Sequence, residues 1–189
     1  MLSNNIFIKN FKKKRIPERL KRFYKNLISE SSNKQSLLNS FTKSFSYSFD
    51  KKKISKFKKY STFQVYGMGG SSLGAKAIYD FLNTEIKKNF YFFDNLDAKN
   101  KKIKKNKKTL SIIISKSGNT LETIVNENIF SSKNKLYITE TENNYLRNLA
   151  TKLKSDIVDH KNFIGGRYSV LSEVGMLPAE LMGLNINKF

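Results

Sequence analysis

From Phe63 onward the chain alternates short apolar runs with longer amphipathic ones. Phe63–Tyr66, Asn89–Phe93, Thr109–Ile114 and Leu136–Thr139 are rich in β-branched or aromatic residues and too short for helices, so they read as strands. Thr109–Ile114 has no polar alternation after Ser111 and is expected to be buried on both faces. Between the strands lie stretches at helical spacing. Ala75–Leu82 is predicted to turn Ala77, Ile78, Phe81 and Leu82 to one side. Helices are also predicted over Leu121–Phe130, Glu142–Leu153 and Ser169–Met182, with Pro178 a candidate kink in the last. Ile157-Val158 is a candidate fifth strand, and Phe163–Arg167 reads as a turn. Strand and helix in alternation predict an α/β fold: a three-layer αβα sandwich with a mainly parallel sheet and right-handed crossovers.

Residues 1–60 have a different texture. Basic positions alternate with apolar ones, and Ile6, Phe7, Phe11, Leu20, Phe23, Tyr24, Leu27 and Ile28 recur at helical spacing. Two or three amphipathic helices are expected, broken near Ser29–Ser36. The chain is accordingly divided into an N-terminal helical arm, residues 1–60, and an α/β domain, residues 61–189.

Composition narrows the chemistry. The chain of 189 residues has no cysteine, which excludes disulfides, thiolate metal sites and cysteine nucleophiles. Its one histidine, His160, excludes a two-His metal site within the chain and is expected at the surface, between Asp159 and Lys161. Glu122, Glu127 and Glu173 read as helix-face residues. No apolar run is long enough to span a membrane, and the first residues lack the pattern of a secretory signal, so a cytoplasmic setting is the expectation. The net charge of +21 comes mostly from Lys. Seven of the ten residues from Lys99 to Lys108 are Lys, which reads as a solvated face, and no nucleic-acid-binding motif accompanies them. A positive field would instead draw anionic substrates to the protein.

Two loops carry the candidate chemistry. Gly67–Gly74 follows the first strand directly and opens a helix. Glycines let backbone N–H groups approach a ligand closely, and the helix start favours an anion there. The spacing departs from a dinucleotide fingerprint, with Ser72 where the third Gly would stand, and lacks the ending of a P-loop. The second loop, after the buried strand, places Ser115, Ser117, Asn119, Thr120 and Thr123 within nine residues. A helix cap needs one such residue; the remainder suit a phosphate. Both loops belong at the C-terminal strand edge, where open α/β sheets bind ligands. A third element, Gly165-Gly166-Arg167, presents a permanently charged fork beside them.

In this order the three elements resemble glucose-6-phosphate isomerase. VYGMGGSSLGAKAI is similar to that family's first glycine loop, and ISKSGNTLET to the hydroxyl loop of sugar isomerase (SIS) domains in general. IGGRYSVLSEVGMLPAELMG is similar to the family's Gly-Gly-Arg segment and following helix, which narrows the match. The resemblance implies that Ser71, Ser115, Ser117 and Thr120 hold a substrate phosphate, with the Lys116 backbone and Thr123 nearby. Gly70 and Arg167 would lie at the sugar end, and Arg167 would stabilise the charge of an enediolate. The implied reaction interconverts glucose 6-phosphate and fructose 6-phosphate and needs neither cofactor nor metal.

The resemblance also implies a general-base Glu in a Q-x-x-x-E-S segment, a ring-opening His and a C-terminal Lys, none of which has a counterpart before Phe189. Members of the family carry a second SIS domain and form homodimers. The chain is therefore expected to be an N-terminal part of such an enzyme that binds sugar phosphate weakly and turns over little by itself. A non-catalytic sugar-phosphate regulator, a dual glucose/mannose phosphate isomerase and a basic nucleic-acid-binding protein stay open as alternatives.

Overall fold

The computed structural model describes residues 16–96 and 108–189. The apolar positions Ile6, Phe7 and Phe11, and nearly all of the Lys99–Lys108 run, lie outside the described residues. Five strands form one sheet: β1 (Thr62–Tyr66), β2 (Asn89–Phe93), β3 (Thr109–Ile114), β4 (Asn134–Thr139) and β5 (Asp156–Asp159). Their order is β2-β1-β3-β4-β5, and every neighbouring pair is parallel. The register aligns Val65 with Phe92 on one side and Ile112 on the other, and Ile113 with Tyr137. The chain leaves β1 in one direction to make β2, then crosses back to place β3 on the other flank of β1. That reversal makes the β1/β3 boundary a topological switch point.

Alternating side chains supply two cores. Phe63, Val65, Ile112, Ile114, Leu136 and Ile138 share one with apolar residues of α6 (Glu173–Met182) and with Phe49, Ile54 and Phe57. Tyr66, Phe93, Ile113 and Tyr137 pack against Ile124 and Phe130 of α4 (Leu121–Phe130) and Leu146 and Ala150 of α5 (Tyr145–Lys152). Aromatic pairs staple β1 to β2 on both faces: Phe63 stacks on Phe90 and Tyr66 on Phe93, each at 4.6 Å between ring centroids. Strand β3 is buried at every position, as its β-branched run predicts. Each fully buried large apolar side chain contributes roughly 1.5–3 kcal/mol, so this central strand anchors the sheet that carries both loops.

Several local expectations change. In α3 (Gly70–Phe81) the buried face is Ser72, Ala75 and Ile78, whereas Ala77 and Phe81 face solvent and Phe81 is 87% exposed. The helix lies on α6 and on the 3-10 helix Gly166–Leu171, and this close packing selects small residues. The predicted helix over Ser169–Met182 is two elements. A 3-10 helix, Gly166–Leu171, is separated from α6 by Ser172, whose extended backbone and hydroxyl cap the α-helix. Pro178 sits inside α6, which runs through it from Glu173 to Met182 with all ten residues buried. Of the helices expected in residues 1–60, α1 (Glu18–Ser32) is long and amphipathic but buries none of its residues. A short 3-10 helix, Leu37–Phe41, and α2 (Lys51–Ile54) follow. No helix among the described residues is long and apolar enough to cross a membrane.

Candidate functional site

Three segments meet at the C-terminal edge of the sheet beside the switch point. The first, Gly67–Gly69, leaves β1 and enters α3 at Gly70, so the N-terminus of a twelve-residue helix faces this edge. The second, Ser115–Thr120, joins β3 to α4. The third, Ile164–Ser169, carries Arg167 at the start of the 3-10 helix.

The contacts between them are close. A Cβ on Gly70 would lie 2.0 Å from the carbonyl oxygen of Gly166 and 2.3 Å from its carbon. The Ser169 hydroxyl donates to the Gly166 carbonyl at 2.7 Å and lies 3.1 Å from the Gly70 carbonyl, tying the two turns together. A Cβ on Gly67 would lie 3.0 Å from the Ile114 carbonyl, so the first loop also lies against the end of β3. The Lys116 ammonium donates to the Asn162 carbonyl and links the second loop to the chain entering the third.

Within the second loop the side chains divide. Ser115 is buried, and its hydroxyl is 2.9 Å from that of Thr120. Thr120 is the N-cap of α4 by position, yet its side chain makes no capping bond, which leaves the hydroxyl pair at the helix start. Thr123 is buried and its hydroxyl has no hydrogen-bond partner. Ser117 is exposed, and its hydroxyl accepts only a long contact, 3.4 Å, from the Asn119 amide. Asn119 is structural: its side-chain oxygen accepts from the Tyr145 N–H at 3.0 Å and holds the start of α5. Gly118 makes the turn possible, with φ +64 and a would-be Cβ 1.8 Å from the Asn144 side-chain oxygen. The Lys116 carbonyl accepts from the Glu140 N–H at 3.1 Å and the Thr139 hydroxyl at 3.2 Å, which fixes the loop backbone.

The structure thus brings Gly70, Ser71, Ser115, Lys116, Ser117, Thr120 and Thr123 to one sheet edge, with Arg167 on the adjoining turn. Ser71 lies in the first turn of α3 and is half-buried. Arg167 is exposed and, among the described residues, has no hydrogen-bond or ion-pair partner. An oxyanion at this edge would find two hydroxyls, helix starts and one guanidinium. Clefts elsewhere include one of about 580 Å³ lined by Phe41, Tyr47, Leu171 and Ile186, and one of about 270 Å³ at the opposite end of the sheet among Lys56, Lys59 and Lys133.

His160 is not at the surface. It is 3% exposed and follows β5 directly, and its Nε2 is 3.2 Å from the Ile164 carbonyl. Its Nδ1 lies 3.7 Å from Oε2 of Glu173, a fully buried carboxylate at the first position of α6. That separation is too long for a hydrogen bond. Oε1 of Glu173 accepts from the backbone N–H and the hydroxyl of Ser48, both at 2.9 Å. Glu127 is also buried rather than on an open helix face, and it pairs with Lys135 and the Tyr137 hydroxyl. The polar residues flanking His160 hid its burial.

Burial pushes the Glu173 carboxyl up, but His160, the helix-start backbone and the two Ser48 donors outweigh that and hold it below the ordinary carboxylate range. Because the folded-state pKa is depressed, the stability it contributes is complete above about pH 4.3, the unfolded value, and is lost as pH falls through the folded value. Acid unfolding followed by circular dichroism is expected to show this loss, and Glu173→Gln to flatten that part of the profile.

Comparison with known proteins agrees with this architecture. Residues 17–188 match the family described as phosphoglucose isomerase. The glucose-6-phosphate isomerase of Methanocaldococcus jannaschii is 39% identical over 142 residues, 68% of this chain and 35% of that protein. That of Carboxydothermus hydrogenoformans is 34% identical over 155 residues, covering 69% of this chain and 33% of that one. The chain therefore spans about a third of the length of these curated relatives. Among solved structures, a hypothetical protein from Thermus thermophilus superposes with TM-score 0.73 at 23% identity, covering 89% of this chain and 45% of that one. The tagatose-6-phosphate ketose/aldose isomerase of Escherichia coli shares the fold at TM-score 0.51 and 17% identity, over 89% of this chain and 46% of that one. With the matched region running through all three loops, the chain belongs to the phosphoglucose isomerase family.

Proposed function

We propose that this chain supplies the phosphate-binding and charge-stabilising part of an isomerase that interconverts glucose 6-phosphate and fructose 6-phosphate. The observation that carries the reading is the meeting of the Ser115–Thr120 hydroxyl pair, the α3 start and the Arg167 turn at the switch point. In this reading residues 61–189 are the sugar-phosphate-binding domain and residues 1–60 an arm. Ser71, Ser115, Ser117 and Thr120 hold the phosphate, with the Lys116 backbone and Thr123 beside them, and Gly70 lies with Arg167 at the sugar end.

Isomerisation then moves one proton between C2 and C1 of the opened sugar. Removing it leaves negative charge on the enediolate oxygens, and the Arg167 guanidinium stabilises that charge as it forms. No described residue is assigned the carbon-bound proton. We expect the complete enzyme to be a cytoplasmic homodimer, and these 189 residues alone to bind sugar phosphate and convert little of it. A coupled assay for glucose 6-phosphate formation from fructose 6-phosphate, run beside a calorimetric titration, tests this. Binding with little turnover is expected. Robust turnover by the 189 residues, or no binding at all, would contradict it.

A further inference from the structure

We propose that His160, packed beside Glu173, is a positioning residue for Arg167; the inference rests on the functional reading above. Arg167 has no side-chain partner among the described residues, so its direction is set by its backbone. That backbone belongs to a short segment whose start is held at one imidazole. At the start, the Ile164 carbonyl faces His160 Nε2 at 3.2 Å. A carbonyl only accepts, so Nε2 carries the proton. At the far end, Glu173 begins α6 and turns Oε2 toward the other ring nitrogen. Ile164 and Glu173 are fully buried and His160 nearly so, which removes water as a competing partner.

Other contacts fix the surroundings of the ring. Ser48 gives both its N–H and its hydroxyl to Glu173 Oε1, and the Lys161 ammonium reaches the Ser46 carbonyl. The chain before α2 is thereby fastened to the base of the Arg167 turn. An apolar side chain at position 160 would fill the same space without burying the unpartnered Nδ1 of His160. The geometry assigns the imidazole to the one thing an apolar residue cannot do here, which is to hold the Ile164 carbonyl and thereby the turn.

The test uses two probes on the 189-residue chain. Inorganic phosphate engages the hydroxyl loops alone. A five-carbon aldonate 5-phosphate adds a carboxylate in place of the enediolate and engages Arg167 as well. His160→Ala is expected to weaken the aldonate about ten-fold, the scale of a small misplacement of a binding group, and to leave inorganic phosphate within about two-fold. His160→Gln, whose amide can still donate to Ile164, is expected to restore most of that loss. Amide exchange at Ile164 and Tyr168 is expected to quicken in His160→Ala while the β3 amides keep their protection. Equal weakening of both probes, or unchanged affinity in His160→Ala, would overturn the proposal. If the parent chain binds neither probe, the functional reading fails, and exchange decides this inference alone: unchanged exchange at Tyr168 overturns it, and faster exchange there supports it.

Discussion

Gly70→Ala is expected to abolish measurable binding of fructose 6-phosphate and to destabilise the fold by about 3 kcal/mol, at the upper end of overpacking penalties. The reason is the identity of the neighbours. A Cβ at position 70 would meet the carbonyl oxygen of Gly166 at 2.0 Å and its carbon at 2.3 Å. Both atoms are backbone and cannot rotate away. Relief requires α3 to separate from the 3-10 helix, which parts the first loop from the turn carrying Arg167 and breaks the contact of the Ser169 hydroxyl with the Gly70 carbonyl. Gly165→Ala is the matched control. Position 165 has φ −72 and ψ 152, which any residue adopts, and its Cβ would meet only Tyr168 at 3.8 Å. Thermal unfolding and calorimetry on both variants check the pair. Near-equal effects would show that the close approach of Gly70 to Gly166 is not what holds the site together.

Arg167→Ala is expected to weaken the aldonate 5-phosphate roughly 10- to 100-fold, the scale of a lost charged hydrogen bond, with inorganic phosphate little changed. Arg167 is exposed, so its removal leaves no buried charge behind and the fold should keep its melting temperature. Arg167→Lys should recover only part of the loss, because an ammonium lacks the planar fork that grips a carboxylate or enediolate at two points. Equal losses for both probes would place Arg167 at the phosphate instead of the sugar end.

How far the sequence led varies with the kind of packing. Strand β3 was legible because a β-branched run bounded by turn residues has few other uses, and it is buried along its whole length. The two loops were legible because glycines and hydroxyls crowd where a cap needs one residue. The α3 face was misread: Ala77 and Phe81 are as apolar as Ala75 and Ile78, and what decides between them is the close approach of Gly74 to Val170, a contact nearly a hundred residues apart. Asn119 looked like a ligand-binding amide, but the Tyr145 N–H claims it. His160 and Glu173 were hidden for a related reason. Each is polar among polar or helix-forming neighbours, and only the fold brings the residue after β5, the start of α6 and Ser48 together. Local pattern reveals which residues share a face; it does not reveal which distant backbone they meet.

In the proposed function a sugar phosphate sits at the β1/β3 switch point on these three segments. Amide chemical shifts recorded while fructose 6-phosphate is titrated into the chain test it most directly. Shifts are expected to concentrate at Gly69–Leu73, Ser115–Thr120 and Gly166–Ser169 and to saturate together with one affinity. Shifts centred on the cleft around Phe41, Tyr47 and Ile186, on the lysines at Lys56 and Lys133, or nowhere, would contradict it.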